Sequence, residues 1–249
     1  MRHETFDTPG PLRIRVESAS GSIELETIDG AKTEVELDGP AEHVEEALVE
    51  LRERGDGHEL VVKTNPRSGF RLFRLNGKGI DVRIRAPHGA TVEISSASAD
   101  VAGRGRYGRV EVNSASGDVT FEEIEGDAEA NTASGDVEIA RIGGSGKVNS
   151  ASGDVEIGAA DSSLKVQTAS GDQQIGSVAS GEVTLQTASG DISVGVKTGS
   201  KLWIDARSMS GETSSELEVG DAAPSGEGPL VEVRATAMSG DIRVRRASA

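Results

Sequence analysis

The chain contains no cysteine, which removes disulfide frameworks, thiolate metal sites and cysteine nucleophiles from consideration. Aromatic residues are almost as scarce, with one Trp, one Tyr and four Phe among 249 residues. The core must therefore be aliphatic, and no ring platform exists for stacking sugars or bases. The four histidines, His3, His43, His58 and His88, are scattered and compose neither a metal nor a triad motif. No apolar run reaches the 18 residues of a membrane-spanning helix, and none of signal-peptide length stands at the N-terminus. The sequence-based expectation is thus a cytoplasmic location, with envelope association left open. Basic residues are outnumbered, 26 against 42 acidic, for a net charge of −16. Such a surface repels phosphate backbones, so nucleic acid is not an expected partner.

Glycine, at 32 residues, is abundant, and its placement is periodic. The tetrapeptide Ala-Ser-Gly-Asp carries Gly117, Gly135, Gly153 and Gly171 at intervals of 18, and Gly190 follows after 19. Upstream, Ala99 stands at the glycine position, and Met209-Ser-Gly-Glu and Met238-Ser-Gly-Asp close the series. Apolar residues alternate around each block, as in Val110, Val112, Val119 and Phe121, which is the strand period. The block itself is turn chemistry: glycine permits positive φ, and Asp and Ser hydrogen-bond nearby backbone. One repeat is therefore a coil of short strands. Its few inward aliphatics cannot offset the entropy of ordering 18 residues, so coils must stack. A left-handed hexapeptide helix needs an apolar residue every six positions, and from Val112 that rule lands on Asp118.

The fold class expected is all-β, a single-stranded parallel β-solenoid, right-handed, of about ten rungs with one short inserted helix. Residues 1–249 read as one elongated domain: an irregular N-terminal segment (residues 1–91), regular repeats 92–201 and irregular rungs 202–249. Leu12 to Leu25 aligns with later units, Ile14 on Val110, Gly21 on Gly117 and Ile23 on Val119, with Ser22 in place of the acid. Residues 41–54 read as a helix covering the first rungs, with Val44, Ala47, Leu48 and Leu51 on one face. Residues 63–85 carry seven bases and one acid. Arg67, Arg71, Arg74 and Lys78 are candidate contacts for an anion or partner, or else a solvated excursion. The final strand carries Arg243 and Arg245, expected to guard a terminal edge against polymerisation and leave a monomer or small closed oligomer.

The N-terminal rung, the helical insertion, Val82-Arg-Ile-Arg-Ala-Pro-His-Gly-Ala90 and the Ala-Ser-Gly-Asp repeats together resemble a bacterial β-strand-repeat family of unknown function labelled "putative adhesin". The resemblance covers nearly the whole chain. It implies a non-catalytic β-solenoid, sometimes linked to the cell envelope, with a protein or envelope component as partner.

The chemistry-bearing candidates are columns. Asp118, Asp136, Asp154, Asp172 and Asp191, continued by Asp100, Glu212 and Asp241, stack about 4.8 Å apart if the rungs are in register. They form either a row for hard cations or a set of turn caps, and the second reading is preferred because one charge-assisted hydrogen bond outweighs the screened repulsion of neighbours. Beside them run an amide column (Asn113, Asn131, Asn149, Gln167, Gln186) and a hydroxyl column (Ser114, Thr132, Ser150, Thr168, Thr187), read as structural ladders. An active site needs unlike groups with separated pKa values, and the repeats interrupt nowhere to supply them. The expectation is a non-enzymatic scaffold or binding module with no cofactor. The rival reading is a polysaccharide-active β-helix enzyme that uses surface carboxylates.

Overall fold

The computed structural model describes residues 1–64, 79–216 and 228–247. Its strands, in chain order, begin with β1 (Arg2–Asp7), β2 (Leu12–Ile28) and β3 (Lys32–Asp38), followed by helix α1 (Ala41–Glu46). Next come β4 (Leu48–Arg54), β5 (Gly57–Lys63), β6 (Asp81–Pro87) and β7 (Thr91–Tyr107). The regular repeats give β8 (Val110–Ser114), β9 (Val119–Ile124), β10 (Ala128–Ser134), β11 (Val137–Ile142), β12 (Gly146–Ser152), β13 (Val155–Ala160), β14 (Leu164–Ser170) and β15 (Gln173–Val178). The chain closes with β16 (Gly181–Ser189), β17 (Ile192–Val196), β18 (Lys201–Ser210), β19 (Thr213–Ser215), β20 (Leu230–Ser239) and β21 (Ile242–Arg246). All belong to one hydrogen-bonded sheet system, wound into a solenoid-like stack of parallel strands.

Register follows the sequence period. Val110 pairs with Ala128, Ala128 with Gly146, and Gly146 with Leu164. On the second face Val119, Val137 and Val155 align. The N-terminal alignment also holds: Ile14 reaches Val110 through Val92, and Ile23 reaches Val119 through Val101. Alternate residues point inward because the pleat has period two, so these columns form one buried aliphatic core. Volume is shared along the stack. A Cβ on Gly146 would lie 2.7 Å from the Leu164 side chain, so the small residue makes room for the large one. Likewise Gly103 leaves space for Phe121, which meets Tyr107 edge-to-face at 5.4 Å.

The rungs do not stack in chain order. At the C-terminal end β16 pairs with β20 and β20 with β18; β17 pairs with β21 and β21 with β19. The last rung of the chain therefore lies inside, and the one before it lies outside. The N-terminal end repeats this arrangement. β2 sits between β7 on one side and β5 and β6 on the other, so the first rung is also one layer in. This corrects the expectation for Arg243 and Arg245. Their strand is flanked by β17 and β19, so they guard no terminal edge. The chain skips a layer between β6 and β7, across residues 88–90, and again between β17 and β18, across residues 197–200.

The helix expected over 41–54 stops at Glu46; Ala47 is extended (ψ 136°), and Leu48–Arg54 is a strand antiparallel to β5. Tertiary context overrides the helical period here. β5 is the outermost parallel strand on its face, and Val49 and Leu51, two apart, pack together against the core from a strand that satisfies its free edge. The turn between them is closed by Gly55 at φ 66°. On the other face β3 pairs antiparallel with β6, and β1 with β3. Antiparallel strands thus end the parallel stack at this end, and of the expected helix face Val44 on α1 and the adjoining Ala47 are buried against the core.

Candidate functional site

The acid column is a hydrogen-bonded ladder along the stack. The backbone N–H of Asp118 donates to the Asp100 carboxylate at 3.1 Å, and those of Asp136, Asp154 and Asp172 donate to Asp118, Asp136 and Asp154 at 2.8–2.9 Å. Asp191 donates to Asp172 at 2.7 Å, Asp241 to Asp191 at 2.8 Å and Glu212 to Asp241 at 2.8 Å. Each carboxylate therefore caps the turn of the neighbouring rung rather than its own, and the ladder traces the exchanged order of the last rungs. At the other end Asp81 accepts from both the backbone N–H (3.0 Å) and the hydroxyl (2.9 Å) of Ser22. Asp81 thus extends the ladder one layer further out by capping Ser22, a link not read from the sequence although Asp81-Val-Arg-Ile repeats the Asp-Val-Glu-Ile pattern of residues 136–139.

This geometry favours the capping reading of Asp118, Asp136, Asp154, Asp172 and Asp191. Among the described residues no group of three or more His, Asp or Glu converges as a metal site. Millimolar calcium should accordingly leave the melting temperature unchanged. D136N/D154N should cost little, since an amide oxygen still accepts the N–H, whereas D136A/D154A should lose about 1 kcal/mol per cap. A calcium-induced rise of several degrees, abolished by D136N/D154N, would restore the cation row.

The amide and hydroxyl columns lie beside the acids, and their first three members, Asn113, Asn131 and Asn149 with Ser114, Thr132 and Ser150, line a shallow trough of about 610 Å³. Asn131 donates to Asn113 at 3.0 Å, Asn149 to Asn131 at 2.7 Å, and Gln167 to Gln186 at 2.6 Å. The hydroxyls of Ser114, Thr132 and Thr187 each donate to the backbone carbonyl two residues on, at 2.8–3.1 Å. Ser150 breaks the pattern: its hydroxyl is buried without a partner. Among the described residues Gln173 is the one buried polar residue in its inward column, between Val155 and Ile192. Its amide N–H groups reach Thr168 Oγ1 at 2.9 Å and the Gln186 carbonyl at 2.7 Å, leaving Oε1 unpaired.

Two further features test the enzyme reading. Thr27, His88 and Asp29 approach one another: His88 Nδ1 lies 2.8 Å from Thr27 Oγ1 and Nε2 lies 3.5 Å from Asp29. Yet the Thr27 hydroxyl oxygen already accepts the Arg106 N–H at 2.8 Å and is buried, and Asp29 is fully exposed with nothing to hold it. A nucleophile needs a free oxygen and an oriented base, so this trio is structural. The Tyr107 phenol is pushed far above its ordinary pKa, chiefly by burial, and its hydroxyl donates to the Arg104 carbonyl at 3.0 Å; it anchors the core. Arg67, Arg71, Arg74 and Lys78 lie outside the described residues.

No curated protein matched the chain. Solved structures similar to it over nearly full length include a "putative adhesin" from Bacteroides fragilis NCTC 9343, at 17% identity and a TM-score of 0.56, covering 98% of this chain and 96% of that one. A "putative lipid binding protein" from Parabacteroides distasonis ATCC 8503 shows 17% identity and a TM-score of 0.57, with the same coverage. A "putative adhesin" from Parabacteroides merdae ATCC 43184 shows 11% identity and a TM-score of 0.53, covering 98% and 95%. At such identities the likeness is one of fold. The family model described as Toastrack DUF4097 matches residues 12–245, and the chain, with its stacked parallel rungs and turn ladders, belongs to that family.

Proposed function

We propose that the protein is a non-enzymatic binding scaffold: one elongated right-handed stack of ten coils whose polar trough engages a protein or cell-envelope component. The observation that carries this reading is the uniformity of the trough. Asn113, Asn131 and Asn149 present the same group at each rung, already hydrogen-bonded to one another. Such a surface suits an extended partner with a regular repeat and offers no pair of unlike acid and base for turnover. The names of the structural relatives, "putative adhesin" and "putative lipid binding protein", agree with a binding role.

The test uses the purified chain as bait for native protein and envelope fractions, beside a variant carrying Asn113→Arg and Ala151→Arg, two exposed positions lining the trough. The expected result is a partner retained by the parent and lost by the variant at an unchanged melting temperature. Equal retention by both chains overturns the trough as the contact. Cleavage of polyuronides or other glycans by the parent overturns the non-enzymatic reading.

A further inference from the structure

The two ends of the stack are unequal. At the N-terminal end β3 and β4 cover β6 and β5 in antiparallel fashion. At the other end β18 is outermost, and among the described residues its only strand partner is β20. The inward Leu202, Ile204 and Ala206 are only half-buried there, whereas their counterparts Val231, Val233 and Ala235 one layer in are fully buried. Exposed large apolar side chains also gather at this end: Trp203 and Met209 on β18, Leu230 and Met238 on β20.

Backbone direction along β18 is fixed by one bond. The Lys201 N–H donates to the Pro229 carbonyl at 2.9 Å, so odd-numbered residues up to Arg207 direct their backbone groups to β20 and even-numbered ones direct theirs outward. Ala206 lies at the centre of the free edge. We infer that β18 pairs antiparallel with β18 of a second copy across a two-fold axis at Ala206, giving a closed end-to-end dimer.

The sequence Trp203-Ile-Asp-Ala-Arg-Ser-Met209 is self-complementary about that point. Ala206 faces its own copy in a hydrogen-bonded pair, and Ile204 faces Ser208. Asp205 faces the copy's Arg207 and Trp203 faces its Met209 in the non-hydrogen-bonded pairs, where side chains approach most closely. Other registers fail on charge or length. An axis at Asp205 opposes two carboxylates and one at Arg207 opposes two guanidiniums. An axis at Ile204 sets Arg207 against Lys201, and one at Trp203 leaves residues 206–210 of β18 unpaired. The contact is isologous and the far ends are covered, so assembly stops at two copies.

Sedimentation equilibrium of the full chain at micromolar concentrations should report a dimer. Ala206→Pro removes an N–H that β20 does not use, a substitution that edge strands tolerate; it should leave the melting temperature nearly unchanged and yield monomer. Asp205→Arg or Arg207→Asp alone should weaken association about tenfold or more, and the two together should restore it. Because the chain has no cysteine, Ala206→Cys gives a single thiol. It should form an intermolecular disulfide on oxidation, since a hydrogen-bonded pair places Cα atoms about 5.5 Å apart. A monomer at every concentration, a dimer indifferent to Ala206→Pro, a double charge exchange that fails to restore association, or absence of that crosslink in a dimer overturns the inference.

Discussion

Val137→Asp is expected to destabilise the protein by about 4 kcal/mol or more, a fall in melting temperature of the order of 10 °C. Val137 is 1% exposed and stacks directly between Val119 and Val155, so a carboxylate there would be buried with apolar neighbours above and below and nothing to pair it. Glu138→Lys is the control. Its side chain is one residue away on the opposite, exposed face, and substitution there should change stability by about 0.5 kcal/mol or less. The column tolerates a polar residue only where partners are built in, as at Gln173, whose amide reaches Thr168 and Gln186. Thermal or urea unfolding of the two variants decides the matter, and equal melting would invalidate the inward and outward assignment.

The second large effect is expected at the repeating turn glycine. Gly153 has φ 130°, and a Cβ placed there would lie 2.2 Å from the Gly135 carbonyl oxygen of the adjacent rung. Two penalties therefore coincide in Gly153→Ala, backbone strain of about 1–3 kcal/mol and collision with a main chain that cannot retreat without breaking the stack. They can be separated. Gly30 has φ 128° with nothing within 4 Å of an added Cβ, so Gly30→Ala reports strain alone. Gly158 lacks positive φ but would place its Cβ 2.5 Å from the Ala140 carbonyl oxygen, so Gly158→Ala reports crowding alone. The loss at Gly153 should exceed either single-cause variant and approach their sum. Equivalent melting of Gly153→Ala and Gly30→Ala would show that rungs part easily at this turn.

The repeated glycine explains why so much of the architecture was legible. Gly117, Gly135, Gly153 and Gly171 are spaced by the period because each turn must rest on the one beside it, and the flanking alternation assigns inward residues directly. The acid ladder was legible as a column, but not the identity of the N–H that each carboxylate caps. Connection order was hidden for a physical reason. Val231, Val233 and Ala235 offer β16 the same alternating apolar face that Leu202, Ile204 and Ala206 could offer, and a shared code does not say which rung is neighbour to which. The stretch 41–54 was misread because its apolar spacing suits a helix, while the free edge of β5, a long-range feature, decided for a strand. Asp81 and Ser22 were not linked because their contact spans 59 residues of chain.

The exchanged order of the terminal rungs has a consequence for how the chain acquires its structure during synthesis. β18 and β19 emerge before β20 and β21, when β16 and β17 are still an uncovered growing face. In aligned register Leu202 and Ile204 can occupy the places later taken by Val231 and Val233. A nascent chain that docks in sequence order is therefore trapped one layer short, with a hydrogen-bonded rung in the wrong berth. Reaching the native arrangement requires that rung to let go and readmit the later strands beneath it. For a chain that docks in that order, the final step of maturation is a displacement rather than an addition, and its speed is set by how tightly the early arrival holds.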